Sequence, residues 1–179
     1  MAHLVRVTIF TMGTRGDVEP AVALGIGLSA RGHTVTVASH ECFQGDIERR
    51  GLGFRRLPGD PERLFDHPAW SQWQPSAWRP LTHARLLRTV LAPLGEQITQ
   101  DHFASAMEDT DAVLFTLTTS GAYDLAQERG LPCVGLRYTP LSPTRCFAHP
   151  ALFPTSRSGG WENLLSYPIA ERLFDEQFR

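Results

Sequence analysis

The chain has 179 residues, of which 42% are hydrophobic and 20% are charged, with 17 Lys plus Arg against 19 Asp plus Glu. This length fits one α/β domain with a proper core, and the composition is that of ordinary globular proteins. Because the charge balance is near neutral and no arginine-rich run occurs, nucleic acid and anionic membranes are excluded as expected partners.

Targeting and redox signals are also weak. The sequence contains neither a signal-peptide core nor an apolar run of about 18 residues, so no membrane span is predicted. The three cysteines, Cys42, Cys133 and Cys146, are widely spaced and form no C-x-x-C pair. We therefore predict a soluble cytoplasmic protein with reduced thiols, folded as a single domain over residues 1–179.

The amino-terminal part of the chain predicts a strand, a loop and a helix. Apolar and polar residues alternate over 5–10, which is the period of a strand. From Pro20 the apolar residues take the period of a helix, and Gly25 on the apolar face lets that helix approach the sheet. The helix is expected to end at Gly32. The loop at 13–17 connects the two elements.

The remaining chain continues this alternation, interrupted by a proline-rich insertion at 58–80. The further predicted strands cover residues 34–38, 54–57, 112–117 and 132–137, and the further predicted helices cover 41–50, 87–98, 120–130 and 161–178. Alternating strands and helices predict an α/β fold with a parallel sheet. Right-handed crossovers then place all strand carboxyl ends at one edge.

Several polar and aromatic residues lie in the loops that leave this predicted edge. They are Asp17, His40, Trp70, Trp73, Trp78, Thr118, Thr119, Ser120, Tyr138 and His149. Aromatic rings beside a carboxylate and several hydroxyl groups suit an apolar molecule that carries hydroxyl groups.

Each of these candidates also has a structural interpretation. Asp17 could cap the first helix by accepting from the amide of Glu19. His40 and His149 could be ordinary loop histidines, and the tryptophans could pack the insertion against the sheet. From the residues alone, these alternatives stay open.

The first loop does not match a phosphate cradle. Only Gly13 and Gly16 fit the G-x-G-x-x-G pattern, although Glu41 lies near the position of its acidic residue. Asp17 and Glu19 would repel a pyrophosphate from the amino end of the helix. The spacing of the histidines predicts no metal site.

A family resemblance becomes visible at this point. The segment 13–20, which reads G-T-R-G-D-V-E-P, together with 23–25 and 31–36, strongly resembles the amino-terminal domain of GT-B glycosyltransferases. The nearest groups act on sterols and on actinobacterial natural products such as glycopeptide antibiotics. The resemblance continues at 130–132 and more weakly at 163–167, so it covers nearly the whole chain.

The resemblance implies a Rossmann-like sheet with helices on both faces, which is one half of a GT-B fold. In that family the first domain binds the acceptor and the second binds a nucleotide-diphosphate sugar. The donor motif of the second domain has no counterpart in this sequence. We therefore expect an acceptor-binding domain without a cofactor, whose sugar donor is held mainly by a second domain, and which is inactive by itself.

The resemblance also implies roles for single residues. Asp17 resembles the catalytic base that deprotonates a hydroxyl group of a sterol-like or natural-product acceptor, and sugar transfer inverts the anomeric configuration. Thr14 is expected to orient that acceptor. The acceptor pocket is expected to include Trp70, Trp73, Trp78, Thr118, Thr119, Ser120 and Tyr138.

Two other function classes stay open. One is a stand-alone domain that binds an aglycone or a partner protein without catalysis. The uncapped, charged carboxyl-terminal stretch favours a shortened chain over this class. The other is a nucleotide-dependent oxidoreductase, which rests on the α/β pattern and on Glu41.

Overall fold

The computed structural model describes residues 4–61, 100–150 and 159–175. The chain divides into two compact units, of which the first is Met1–Glu62 with Gln97–Tyr138 and the second is Arg63–Glu96 with Thr139–Arg179. The proline-rich insertion and the predicted helix at 87–98 lie almost entirely outside the described residues.

The first unit contains a parallel sheet, with five strands among the described residues. The strands are β1 (Arg6–Phe10), β2 (Thr34–His40), β3 (Gly53–Leu57), β4 (Ala112–Thr116) and β5 (Cys133–Leu136). Their order is β3-β2-β1-β4-β5, and all four pairings are parallel. The central strand is β1, and the carboxyl ends share one edge, as the sequence predicts.

Helices cover both faces of this sheet. They are α1 (Arg15–Ser29), α2 (Gln44–Arg49), α3 (Gln100–Ala106) and α4 (Gly121–Glu128), with short 3-10 turns at Glu41–Phe43 and Leu117–Thr119. Apolar residues of α1 and α2 share one core cluster with Val7 and Ile9. Those of α3 and α4 share the other cluster with Phe10 and Val113. The predicted Rossmann-like α/β fold is confirmed.

The alternation of β1 explains why the sheet has two cores. Ile9 and Phe10 are both fully buried, but they belong to different clusters because successive side chains of a strand point to opposite faces. Phe10 makes an edge-to-face contact with Phe103 of α3, with ring centroids 5.6 Å apart. Full burial of side chains of this size contributes about 1.5–3 kcal/mol each.

Helix α1 begins before the predicted position. It starts at Arg15, so Pro20 lies inside the helix and not at its start. The expected start at Pro20 is wrong because the buried stripe already begins at Val18, and residues 15–17 before it carry no apolar side chain by which the helical period could be recognised. The predicted end is close to the observed one, since α1 ends at Ser29 and Gly32 has the left-handed φ of 92°.

Gly25 has the predicted role in helix packing. A Cβ atom at this position would lie 3.0 Å from Leu52 Cδ1 and 3.3 Å from Val35 Cγ1. The missing side chain therefore lets α1 pack closely on the sheet.

The described part of the second unit contains α5 (Trp161–Asp175) and the loop at 139–150. Asn163 donates to the Arg145 carbonyl at 2.9 Å, and Ser166 Oγ accepts from the His149 amide at 2.7 Å. The helix contains Pro168 and continues through it. His149 is buried in an edge-to-face contact with Tyr167, and burial lowers the pKa of its imidazole.

A side-chain contact joins the amino ends of β1 and β4. Asp111 accepts from the Arg6 amide at 2.9 Å, and its other oxygen accepts from the Arg6 guanidinium at 2.7 Å. Hydrogen bonds from Arg6 lower the pKa of the Asp111 carboxyl from 3.8 to about 2. Because the pKa is lower in the folded state, this contribution is present above pH 3.8 and is lost as the pH falls through about 2.

We expect Asp111→Asn to lower the urea midpoint of the chain at neutral pH, since it removes the charge from a bidentate contact with Arg6. Asp109→Asn is the matched control, because Asp109 makes a single contact with Arg6 at 3.2 Å and its side chain is 84% exposed. Urea unfolding at pH 7 and at pH 2 measures both variants. Equal midpoints for the Asp111 variant and the unchanged chain at pH 7 would contradict the assignment.

Candidate functional site

The candidate site lies at the carboxyl edge of the sheet, where the loop after β1 enters α1. Thr14 precedes the helix with extended backbone, and Asp17 is the third residue of the helix. Asp17 Oδ2 accepts from the Thr14 amide at 2.8 Å and from the Thr14 hydroxyl at 3.1 Å. The carboxylate thus folds back over the loop and satisfies an amide at the helix start.

This geometry corrects the capping alternative. Asp17 does cap the helix, but its partner is Thr14 and not the amide of Glu19, because α1 begins two residues before Asp17. Asp17 is partly buried, and within the described ranges its Oδ1 accepts no hydrogen bond.

The second acidic residue of the motif has a different environment. Glu19 accepts from Arg50 at 2.6 Å and from Arg15 at 3.1 Å. These contacts, led by the hydrogen bond from Arg50, lower the pKa of the Glu19 carboxyl. The expectation that both carboxylates act at the helix start is therefore wrong, because only Asp17 turns towards the loop.

Gly13 shapes the loop beneath Asp17. Its φ is +123°, and a Cβ atom there would lie 2.9 Å from Asp17 Cγ. The Gly13 amide donates to Nε2 of His40 at 3.3 Å. Both the conformation and the lack of space therefore require glycine.

The loop after β4 supports the first loop. Thr118 Oγ1 donates to the Met12 carbonyl at 2.9 Å, and Thr119 Oγ1 donates to the Phe10 carbonyl at 3.0 Å. Thr119 is fully buried, whereas Thr118 is exposed. Ser120 is the residue before α4, and its hydroxyl makes no capping bond. The structure thus brings Thr118 and Thr119 against the loop that carries Asp17.

Tyr138 lies close to Asp17. It follows β5, is 41% exposed, and its phenol lies beside the Thr11 hydroxyl. Burial and the charge of Asp17 raise the pKa of the phenol, while the Thr11 hydroxyl opposes the shift. Asp17, Thr14 and Tyr138 therefore share one edge of the sheet.

His40, which the sequence placed at this edge as a candidate or an ordinary loop histidine, belongs to a strand. The predicted strand ended at Ala38, but β2 continues to His40 and places its ring under the first loop with 1% exposure. Burial lowers the pKa of the ring below its usual 6.5, against the opposing effects of the Gly59 and Pro58 backbone and the Asp60 charge. Its position three residues after the β-branched run at 34–37 was the available signal.

The remaining candidates are Trp70, Trp73 and Trp78, which lie outside the described residues. Across the described ranges, no helix combines the length and apolar character needed to cross a bilayer. The same ranges hold no cluster of three His, Cys, Asp or Glu residues suited to a metal ion.

We expect Gly13→Ala to destabilise the chain by about 1–3 kcal/mol, because a β-carbon is strained at this φ and collides with Asp17. The matched control is Gly27→Ala in α1, where no atom lies within 4 Å of the added carbon. That substitution should be neutral or stabilising by up to about 1 kcal/mol. Urea unfolding measures both free energies, and equal effects of the two substitutions would contradict the proposed constraint at Gly13.

Comparison with known proteins identifies the family of this chain. The profile of the glycosyltransferase family 28 N-terminal domain matches residues 7–105. The sterol 3-beta-glucosyltransferase of Candida albicans is 29% identical over 174 residues, which cover 94% of this chain and 11% of that protein. The O-mycaminosyltylonolide 6-deoxyallosyltransferase of Streptomyces fradiae is 48% identical over 64 residues, which cover 36% of this chain and 15% of that protein.

A solved structure has the same fold. The calicheamicin glycosyltransferase CalG4 matches with a TM-score of 0.55 at 15% identity, over 98% of this chain and 42% of the CalG4 chain. The match therefore covers less than half of CalG4, and the two sequence matches cover at most 15% of each curated relative.

Proposed function

The chain belongs to the glycosyltransferase family 28 N-terminal domain family, and on that premise we propose that it is the acceptor-binding half of an inverting glycosyltransferase. The sugar comes from a nucleotide-diphosphate sugar held mainly by a second domain. The acceptor is an apolar, sterol-like or natural-product molecule with a free hydroxyl group. The names of the two curated relatives, a sterol glucosyltransferase and a tylonolide deoxyallosyltransferase, support this acceptor class.

The proposed chemistry rests on the arrangement of the Asp17 carboxylate, which we propose as the general base. Its Oδ2 atom is held by Thr14, while Oδ1 accepts no hydrogen bond from the described residues. Fixing one oxygen sets the direction of the other, which is how a general base is held ready.

The proposed reaction is a single displacement. The acceptor oxygen forms a bond to the anomeric carbon from the face opposite the leaving group. The bond from the anomeric carbon to the phosphate oxygen breaks, and the nucleoside diphosphate leaves with that electron pair. Oδ1 of Asp17 takes the proton of the acceptor hydroxyl as its oxygen becomes a nucleophile.

Acceptor recognition is assigned to residues around that carboxylate. Tyr138 offers a half-exposed ring beside Asp17, and Thr14 and the exposed Thr118 offer hydroxyl groups. Thr119 contributes through its bonds to the loop, since its hydroxyl is buried. Ser120 and the three tryptophans stay predicted members of the pocket. We also propose that the protein is cytoplasmic.

The alternatives have different support. A stand-alone aglycone- or partner-binding domain would use the Tyr138 ring and the same hydroxyl groups without a transfer step. A nucleotide-dependent oxidoreductase is disfavoured, because the Asp17 carboxylate occupies the helix start where a pyrophosphate would bind.

We expect Asp17→Asn to reduce kcat of the enzyme that contains this domain by at least about tenfold, since an amide cannot take the acceptor proton. The amide oxygen can still accept from the Thr14 amide, so the fold should be retained. The control is Glu19→Gln, which changes a carboxylate two residues away that is paired with Arg50. The assignment fails if the Asp17 variant transfers sugar at the unchanged rate, or if the Glu19 variant loses as much activity as the Asp17 variant.

Calorimetry on the 179-residue chain separates the three classes. We expect hydroxylated sterol or macrolide aglycones to bind, and uridine or thymidine diphosphate sugars to bind at least about tenfold more weakly, because the charged Asp17 repels phosphate at the helix start. Tight binding of a nicotinamide cofactor would support the oxidoreductase. Aglycone binding combined with full activity of the Asp17→Asn enzyme would support a binding domain without a catalytic carboxylate.

A further inference from the structure

We propose that His40 is a positioning residue for Asp17 and that it acts through the amide of Gly13. The functional part of this inference rests on the proposed role of Asp17 as the base. Nothing in the reaction requires His40 to touch the acceptor or the sugar, because its ring lies below the loop with 1% exposure.

The contact continues the pairing of two central strands. Phe10 of β1 pairs with Ala38 of β2, and the Thr11 amide still donates to the Ala38 carbonyl at 3.0 Å. Beyond this point the loop that follows β1 leaves the sheet. The His40 ring then takes the place of a main-chain acceptor, with Nε2 at 3.3 Å from the Gly13 amide nitrogen.

The Gly13 amide is directly coupled to the carboxylate. The Asp17 carboxylate lies over the α-carbon of Gly13, in the space that a β-carbon would need. The next amide along the chain, that of Thr14, donates to Asp17 Oδ2 at 2.8 Å. A rotation of the Gly13 backbone therefore moves the donor that sets the direction of the carboxylate.

The contact requires one chemical state of the ring. A nitrogen that accepts a hydrogen bond carries no proton, so Nε2 is bare and Nδ1 carries the hydrogen of a neutral imidazole. Burial favours this neutral state, and Asp60 is the charged group that opposes it among the described residues. Hydrogen bonding to the Gly59 and Pro58 backbone opposes it as well.

The chain provides a matched control at the other end of the sheet. His33 Nδ1 accepts from the Val5 amide at 3.3 Å, so a histidine ring also receives a main-chain amide there. That contact lies at the amino ends of β1 and β2, whereas the His40 contact lies at their carboxyl ends. Removing either ring deletes the same kind of hydrogen bond, but only His40 lies under Asp17.

The test compares His40→Ala, His40→Gln and His33→Ala. Glutamine is the conservative variant because its side-chain oxygen reaches about as far as Nε2 and can accept from the Gly13 amide. Amide hydrogen exchange of Gly13 and Thr14 is measured by NMR on the 179-residue chain. Values of kcat and KM for acceptor transfer are measured on the enzyme that contains it.

We expect His40→Ala to speed exchange at Gly13 and to lower kcat, each by about fivefold or more, the size of one hydrogen bond. His40→Gln should restore both values to within about twofold of the unchanged protein. His33→Ala should speed exchange at Val5 and leave kcat unchanged.

The outcomes separate this inference from the proposed base. If Gly13 exchange is unchanged in His40→Ala, or if kcat falls equally in His33→Ala, the positioning role is wrong whatever Asp17 does. If exchange responds as expected but Asp17→Asn is fully active, the contact is real and the catalytic role of Asp17 is wrong. If glutamine does not restore kcat although it restores exchange, the ring acts in another way and the inference is overturned.

Discussion

The backbone turn at Gly13 is the constraint on which the candidate site depends. Its φ of +123° directs the chain from β1 into α1, and the space above it is filled by the Asp17 carboxylate. The two amides of the turn donate to two side chains, the His40 ring and the Asp17 carboxylate. Because no other residue fits this turn without strain, the position of the ionisable group follows from the conformation of one glycine.

Neighbouring strands hold that turn from several sides. His40 supports it from β2, and the hydroxyls of Thr118 and Thr119 bind main-chain carbonyls at the end of β1 from the loop after β4. Tyr138 lies beside it after β5. The His40 ring and the hydroxyls of Thr118 and Thr119 therefore fix the backbone of the loop after β1. If Asp17 acts as the proposed base, its direction is set before the acceptor arrives, and such preorganisation avoids rearrangement during the reaction.

The prediction from sequence succeeded where the signal was local and periodic. The strand at β1, the close approach at Gly25 and the left-handed Gly32 are confirmed because each depends on residues within one element. It was wrong about the start of α1, because residues 15–17 at the start of the helix carry no apolar side chain. It also ended β2 too early, since the last two residues of that strand are defined by their pairing with Arg56 and Leu57 of β3.

The sequence by itself determined the α/β alternation, the parallel sheet, the loop that carries Asp17 and, through the motif at 13–20, the family. Only the tertiary structure decided which groups meet there. The Gly13–His40 contact joins residues 27 positions apart, and the contacts of Thr118 and Thr119 with the end of β1 span 106 and 109 positions. Periodicity reports which side of an element faces the core, but a contact across strands depends on register and on the direction in which each loop leaves the sheet. Those two properties exist only in the folded chain.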